Sequence, residues 1–395
     1  MRPLSSRIRS FGRSPIRSIM DTAANLPDAI HLELGQPDFP TPSHVIEAAV
    51  DAARHAYTGY TANSGMYELR QAVVTKLARD NDLHVSPENV MITTGAMEAV
   101  FATLLVLLDY GDEVLLPDPG YGNFVMASKA VQGTPKAYPT LPSEGFIPDL
   151  HAMQEMVSGR TRALLINSPS NPTGAVYSEN VLRRCLEFCQ RHDLHLISDE
   201  TYDQLVFEGE HISPAKWDKE GRVVSIFSLS KTYAMTGWRV GYAVGNAEIV
   251  AAMAKVQEPL VSCVNTVAQH AAIAALAGPQ DCVREMLRHY RRRRDLAVNL
   301  AAQHGLKVSY PQGAFYLLVD ISSQPRKSLD FCRSLLQAEH VAVAPGCAFG
   351  DSCDGYVRVS FSVSDEALSE GMTRLARHLW RLSREHQGAL AFQCD

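Results

Sequence analysis

One pattern constrains this chain more than any other: between residues 45 and 285, short apolar and β-branched runs alternate with segments of helical periodicity. Residues 90–94 (VMITT), 113–117 (EVLLP), 163–167 (ALLIN), 195–199 (HLISD), 223–228 (VVSIFS) and 240–244 (VGYAV) read as strands, and 95–108, 179–192 and 247–256 as helices among them. Near-continuous apolar strands are buried on both faces, and the intervening segments are long enough to be crossover helices. The expected class is therefore α/β, with a large doubly wound, mostly parallel sheet. Beyond an Ala-rich helical stretch at 266–276 that leads into 289–299, strands around 314–319 and 356–361 give the remainder the look of a smaller α+β unit. The expected division is a large domain over 44–285 and a small domain assembled from 1–43 and 286–395.

Composition removes several alternatives. With 37 basic and 43 acidic residues the net charge is −6, which is not the footprint of a nucleic-acid binder. Apolar runs such as 100–108 (VFATLLVLL) are too short to cross a bilayer, so no membrane partner is expected. The cysteines at 185, 189, 263, 282, 332, 347, 353 and 394 form neither a disulfide framework nor a CxxC metal spacing, which suits a reducing compartment and points to the cytoplasm. Cys185 and Cys189 read as one core-facing side of a helix, and no histidine clustering suggests a metal site. Arg291 to Arg294, beside Asp295, read as a solvated helix face. Arg2, Arg7, Arg9, Arg13 and Arg17 alternate with serines before the first acid, Asp21. That segment reads as an arm packed on the protein or a partner subunit, with organellar import as the alternative.

In doubly wound sheets ligands bind beyond the carboxyl ends of the strands, so the polar residues there are the ones to weigh. Lys231 follows the run 223–228, where desolvation lowers a lysine pKa and makes the amine a nucleophile and proton carrier. Asp199 ends a buried strand, which is costly without a cation opposite; a protonated ring nitrogen would supply one. Gly95, Ala96 and Met97 stand between strand and helix, where backbone N–H groups and the helix dipole hold an anion such as phosphate. Arg239 and Ser228 would add a charge and a hydroxyl donor, and Tyr121, after Pro119-Gly120, a face for a planar ring.

These positions, with Gly35-Gln36-Pro37-Asp38-Phe39-Pro40, Tyr60, Glu68-Leu69-Arg70, Asn167-Ser168-Pro169-Ser170-Asn171-Pro172-Thr173-Gly174, Ser198-Asp199-Glu200-Thr201-Tyr202, Met235-Thr236-Gly237-Trp238-Arg239 and Tyr356-Val357-Arg358, occur in order across nearly the whole chain. So arranged, the sequence resembles the class I/II aminotransferases that depend on pyridoxal 5′-phosphate (PLP), of fold type I. The resemblance implies that Lys231 carries PLP as an internal aldimine, that Asp199 pairs with the ring nitrogen, and that Tyr202 and Asn171 donate to the ring 3′ oxygen. It implies a phosphate cradle of Gly95, Ala96, Met97, Ser228 and Arg239, with Tyr121 stacked on the ring. Arg358 would grip the substrate α-carboxylate, aided by Asn171 and the Gly35 backbone. Tyr60 would reach the phosphate of a neighbouring subunit, which implies a homodimer.

The function so implied is transfer of an amino group between an L-amino acid and a 2-oxo acid. The alternative is an enzyme of the same fold that diverts the intermediate to elimination, cyclisation or C–C bond formation. A ligand-sensing regulator would need a DNA-binding module, and only about forty residues precede the sheet domain. The loops 57–66 and 118–127 carry no Lys or Arg for a second substrate carboxylate, so neutral or aromatic amino acids are favoured; Glu258, near the expected interface, reads either as an acid that favours a cationic group or as a hydrogen-bonding residue within the dimer.

Overall fold

The structure, a computed structural model, describes residues 5–9, 12–324 and 326–391; Arg2 and Cys394 lie outside these. After a short strand β1 (Ile30–His31), eight strands form one sheet: β2 (Val90–Thr93), β3 (Glu113–Asp118), β4 (Thr134–Leu141), β5 (Ile147–Pro148), β6 (Thr161–Asn167), β7 (His195–Asp199), β8 (Val223–Ser228) and β9 (Gly241–Val244). Their spatial order is β2-β9-β8-β7-β6-β3-β4-β5. The pairs β8/β7, β7/β6, β6/β3 and β3/β4 are parallel, whereas β9 runs antiparallel between β2 and β8, and β5 antiparallel along β4. The expected large, mostly parallel sheet is thus present. Strand β4, sequence TPKAYPTL, was not foreseen: two prolines and a half-exposed pattern hide a strand whose other neighbour is only a two-residue edge.

Helices cover the sheet because their apolar positions recur at helical spacing. In Glu179–Arg191 the buried residues Leu182, Cys185, Leu186 and Cys189 form one stripe, each leucine worth about 2 kcal/mol, and the Ser178 side chain caps the first turn by accepting from Val181 N. Both cysteines lie on the core face, as read from their spacing. Among the described residues, no helix is long and apolar enough to cross a membrane.

A second sheet is built from β10 (Tyr316–Asp320), β12 (Ala344–Pro345) and β13 (Tyr356–Ser360), while β11 (Val341–Ala342) pairs in parallel with β1. Ile19 and Ala23, from helix Pro15–Ala23, and Leu32 share one core cluster with Phe315, Leu317, Val341, Val357, Leu368 and Met372, so the N-terminal stretch packs on this second unit. The 23-residue helix Asp281–Gln303 contains the expected boundary at 285 in its first turns. On that helix the structure corrects the reading of Arg291 to Arg294 as a solvated face. Arg293 and Arg294 are buried; the first pairs with Asp38 at 2.8 Å and Asp365 at 3.3 Å, the second donates to the Pro311 carbonyl at 2.9 Å. Buried guanidinium groups survive because each has such partners.

Candidate active site

Strands β6, β7 and β8 are parallel neighbours, so their carboxyl ends open on one side of the sheet. Beyond β8 the chain makes a single helical turn, Leu229–Thr232, whose first N–H groups are met by Ser228: its Oγ accepts from Ser230 N at 3.1 Å. That turn presents Lys231, and its Nζ donates to the Gly35 carbonyl at 2.6 Å. Burial, seconded by the charges of Arg358 and Arg239, lowers the amine to about 8, with Asp199 opposing. Such an amine is largely neutral at mildly alkaline pH and can act as nucleophile or base.

Asp199 closes β7 at 7% exposure, opposite Asn167 of β6 and Ile226 of β8. Its Oδ1 accepts from Thr201 N at 3.0 Å. Burial raises its pKa to about 6, an effect that bonds from Thr201 moderate and the charge of Glu200 reinforces. Glu200 is itself buried, with His211 Nε2 at 2.8 Å and the Ser213 hydroxyl donating at 2.9 Å. Sequence reading met Glu200 only as part of a motif; its partners lie in a loop with no signature of their own.

A raised carboxyl pKa makes a definite prediction for the cofactor-free protein. The unfolded carboxyl titrates near 3.8 and the folded one near 6, so ionisation above pH 6 costs the native state on the order of 2–3 kcal/mol, a cost that vanishes below pH 4. Asp199→Asn should therefore stabilise the cofactor-free protein by that order at pH 7.5 and be neutral near pH 4 in urea melts. A variant less stable than the parent at pH 7.5 would refute the assignment of strain to this charge.

A candidate anion site lies at the start of helix Ala96–Leu107. Gly95 is its N-cap, with φ of 79°, and no side chain caps the turn, so the N–H groups of Ala96 and Met97 are available as first-turn donors. A Cβ on Gly95 would collide with the Arg239 guanidinium. Arg239, itself at φ of 56°, holds that group by donating to the Thr236 carbonyl at 2.8 Å and the Thr94 carbonyl at 3.3 Å. Ser228 pairs with Gly241 of β9, where a Cβ would sit 2.7 Å from Ala96 N, so a helix start, a guanidinium and a hydroxyl-bearing strand end lie close together, a donor set suited to phosphate.

The other candidates divide clearly. Tyr121, after β3, packs edge-on against Phe124, and its hydroxyl accepts from Asn123 Nδ2 at 2.9 Å. Burial raises its pKa, while the positive charges of Arg358, Arg17 and Arg239 oppose that shift. Tyr202 is buried, its hydroxyl 2.8 Å from that of Tyr316. Arg358, on β13, is 2% exposed; Nη1 donates to Asn171 Oδ1 at 3.0 Å, Nη2 to the Glu33 carbonyl at 2.5 Å, and Nε has no partner. Its guanidinium lies 4.3 Å from the Tyr316 ring centre and 4.9 Å from that of Phe349. Lys231, Asp199, Tyr202, Tyr121, Asn171, Gly35 and Arg358 are thus linked by bonds or mutual charge effects. Tyr60 is not among them: it is 91% exposed, in a loop tied to Thr266 through the Gly59 carbonyl. Tyr316 was missed, because nothing local in the sequence marks it as part of a site; Arg17, read only as part of the N-terminal arm, acts on Tyr121 through its charge.

The donor set fits PLP: a helix start and Arg239 for a phosphate, a buried carboxylate for a basic ring nitrogen, a low-pKa amine for an aldehyde, and an unpartnered buried Arg Nε for a carboxylate. Comparison with known proteins agrees. The family "Aminotransferase class I and II" matches residues 27–375. The aspartate/prephenate aminotransferase of Thermus thermophilus is 39% identical over 389 residues, spanning 96% of this chain and all of that one. A Thermus thermophilus aspartate aminotransferase structure with maleate superposes at a TM-score of 0.92, with 38% identity over 96% of this chain and 100% of that one. An aromatic aminotransferase from Pyrococcus horikoshii superposes at 0.87, with 36% identity over 92% and 99%.

Proposed function

The chain belongs to the class I and II aminotransferases and is a PLP-dependent transaminase acting on amino acid and 2-oxo acid substrates; on that premise we propose that the residues gathered at the strand ends are its catalytic machinery. When bound, PLP supplies an aldehyde for amine exchange and a ring that accepts electron density from the substrate Cα. The chain's own groups do the rest. Gly95, Ala96, Met97, Ser228 and Arg239 hold the phosphate, Tyr121 backs the ring, and Asp199 keeps the ring nitrogen protonated. Tyr202 and Asn171 donate to the ring 3′ oxygen. Arg358 and Asn171, with the Gly35 backbone, orient the α-carboxylate so that the Cα–H bond faces Lys231, whose Nζ takes that proton. Whole-chain relatives that are aminotransferases do not favour elimination, cyclisation or C–C bond formation.

One observation carries this reading: the segment 33–35 accepts from both the Lys231 amine and the Arg358 guanidinium, which puts the base and the carboxylate grip on one short stretch of backbone. The test mixes holoenzyme with single L-amino acids and follows 2-oxo acid release alongside the cofactor's visible absorbance. Failure of every common amino acid to release its oxo acid would sink it.

Neutral or aromatic donors are favoured by the cation-free loops 57–66 and 118–127, and Glu258 is engaged by Asn63 Nδ2 at 3.4 Å. A second reading, an acidic donor, is supported by Arg17, an exposed residue whose charge acts on the Tyr121 hydroxyl. The names of the Thermus relatives support it too, while that of the Pyrococcus protein supports the first. Arg17→Ala separates them. An Arg17 that reads an acidic side chain should cost aspartate about tenfold or more in kcat/KM and leave phenylalanine within twofold; equal effects on both would leave neutral or aromatic donors.

The exposed side chains of Tyr57, Tyr60, Tyr67, Leu260 and Val261 support a homodimer with Tyr60 reaching the partner's phosphate, which sedimentation and Tyr60→Phe cofactor affinity would check. Unpaired cysteines at all seven described positions support the cytoplasm as compartment, checked by fractionation.

A further inference from the structure

We infer that Tyr316 is a positioning residue of this reaction: its hydroxyl sets the direction in which Tyr202 offers its proton, and its ring fixes the plane of the Arg358 guanidinium. The inference rests on the reading of Tyr202 as donor to the 3′ oxygen of the cofactor ring.

Tyr316 opens β10 at 1% exposure and pairs with Ser360 across the antiparallel ladder, while Arg358 pairs with Leu318. Tyr316 and Arg358 are therefore diagonal neighbours on one face, and the guanidinium lies over the ring, 4.3 Å from its centre. From the large sheet Tyr202 arrives edge-on, with ring centres 5.8 Å apart at 84° and hydroxyls 2.8 Å apart. The third side of the Tyr316 hydroxyl is closed by Gly35, where a Cβ would collide with it, and the Gly35 carbonyl is the acceptor for Lys231 Nζ. One phenol therefore touches Tyr202, the Arg358 side chain and the segment that holds the catalytic amine.

Two facing hydroxyls have one hydrogen between them, and either can be the donor. If Tyr202 spends its proton on Tyr316, it has none for a ring oxygen; if Tyr316 donates to Tyr202, the Tyr202 proton is free to point elsewhere. Desolvation keeps both phenols protonated, Tyr316 at about 12 and Tyr202 well above its usual 10, so the pair changes direction without ionising. The charged and titratable groups acting on the pair are Arg358 from β13 and Tyr121 from the loop after β3. Lys231 Nζ lies across Gly35, whose carbonyl it donates to, and Asp199 acts on Lys231. Donation by Tyr316 also polarises the Tyr202 O–H, strengthening its bond to an anionic ring oxygen.

The test compares Tyr316→Phe, Tyr202→Phe and the double variant as holoenzymes, reading the pH titration of the bound cofactor's visible absorbance. Weaker donation to the ring oxygen disfavours the deprotonated cofactor. Tyr316→Phe should therefore raise the midpoint by about half a pH unit, less than Tyr202→Phe does, and add nothing when Tyr202 is already Phe. Affinity for a simple monocarboxylate such as propionate should stay within twofold in Tyr316→Phe, which keeps the ring, and fall about tenfold in Tyr316→Leu, which removes it. A shift from Tyr202→Phe with none from Tyr316→Phe would overturn the inference and leave the role of Tyr202 standing. An equal shift in the double-variant background would also overturn it, since Tyr316 would then act without Tyr202. No shift from Tyr202→Phe would overturn the reading of Tyr202 and this inference with it.

Discussion

Replacing Lys231 by alanine is expected to remove the visible absorbance of lysine-bound cofactor and to lower the rate of amino-group transfer by at least about 10⁴-fold. On the proposed assignment two roles end with one deletion, because the same Nζ would attach the cofactor and carry the Cα proton. The geometry makes the change a clean one. Lys231 stands on a one-turn helix whose cap, Ser228 to Ser230 N, does not involve its side chain, and the lost bond is a single donation to the Gly35 carbonyl. Fold and phosphate cradle should therefore persist, and pyridoxamine 5′-phosphate, which needs no lysine, should bind within about tenfold of its affinity for the parent enzyme. The lowering of the amine to about 8 by burial and by the charges of Arg358 and Arg239 is what lets it work near neutrality, where an ordinary lysine would be almost wholly protonated. A Lys231→Ala protein that keeps the parent's absorbance would show that another lysine holds the cofactor.

The sheet was legible because its strands are buried on both faces. HLISD and VVSIFS have no polar alternation to confuse them, and their bounds in the structure coincide with the runs read from sequence. TPKAYPTL was invisible for the opposite reason, since prolines and partial exposure erase the signal at an edge. Arg293 and Arg294 misled because a run of like charges says nothing about Asp38, 255 residues away in sequence, and Asp365, which receive the first, or about the Pro311 carbonyl, which receives the second. In the candidate site, the residues legible in sequence are those carried by local motifs: the glycine that starts a helix, the acid that ends a strand, the lysine one turn beyond another. Tyr316 and Arg17 belong to no such motif. Tyr316 comes to Tyr202 across 114 residues through the register of a different sheet, and only the folded chain supplies that register.

Arg358→Lys tests the other half of the chemistry, and the expected loss in kcat/KM is about 10²–10³-fold for every α-amino acid regardless of side chain. Lysine keeps the charge, so electrostatics alone predicts a small effect. The guanidinium does more: it is planar, lies against the rings of Tyr316 and Phe349, and uses one nitrogen for Asn171 and another for the Glu33 carbonyl. Those contacts fix the plane in which Nε and the remaining N–H groups meet a carboxylate. An ammonium can satisfy one of the two protein acceptors but cannot then present a fork, so the buried site loses geometry as well as a bond. Because Arg358 is 2% exposed, its replacement also disturbs its neighbours, and a loss of activity by itself would not separate recognition from packing. A substrate without a carboxylate does separate them. Simple primary amines should exchange with the cofactor at nearly the parent rate in Arg358→Lys, and the visible absorbance should be unchanged. If amines lose as much as amino acids do, Arg358 is holding the site together and the carboxylate is gripped elsewhere.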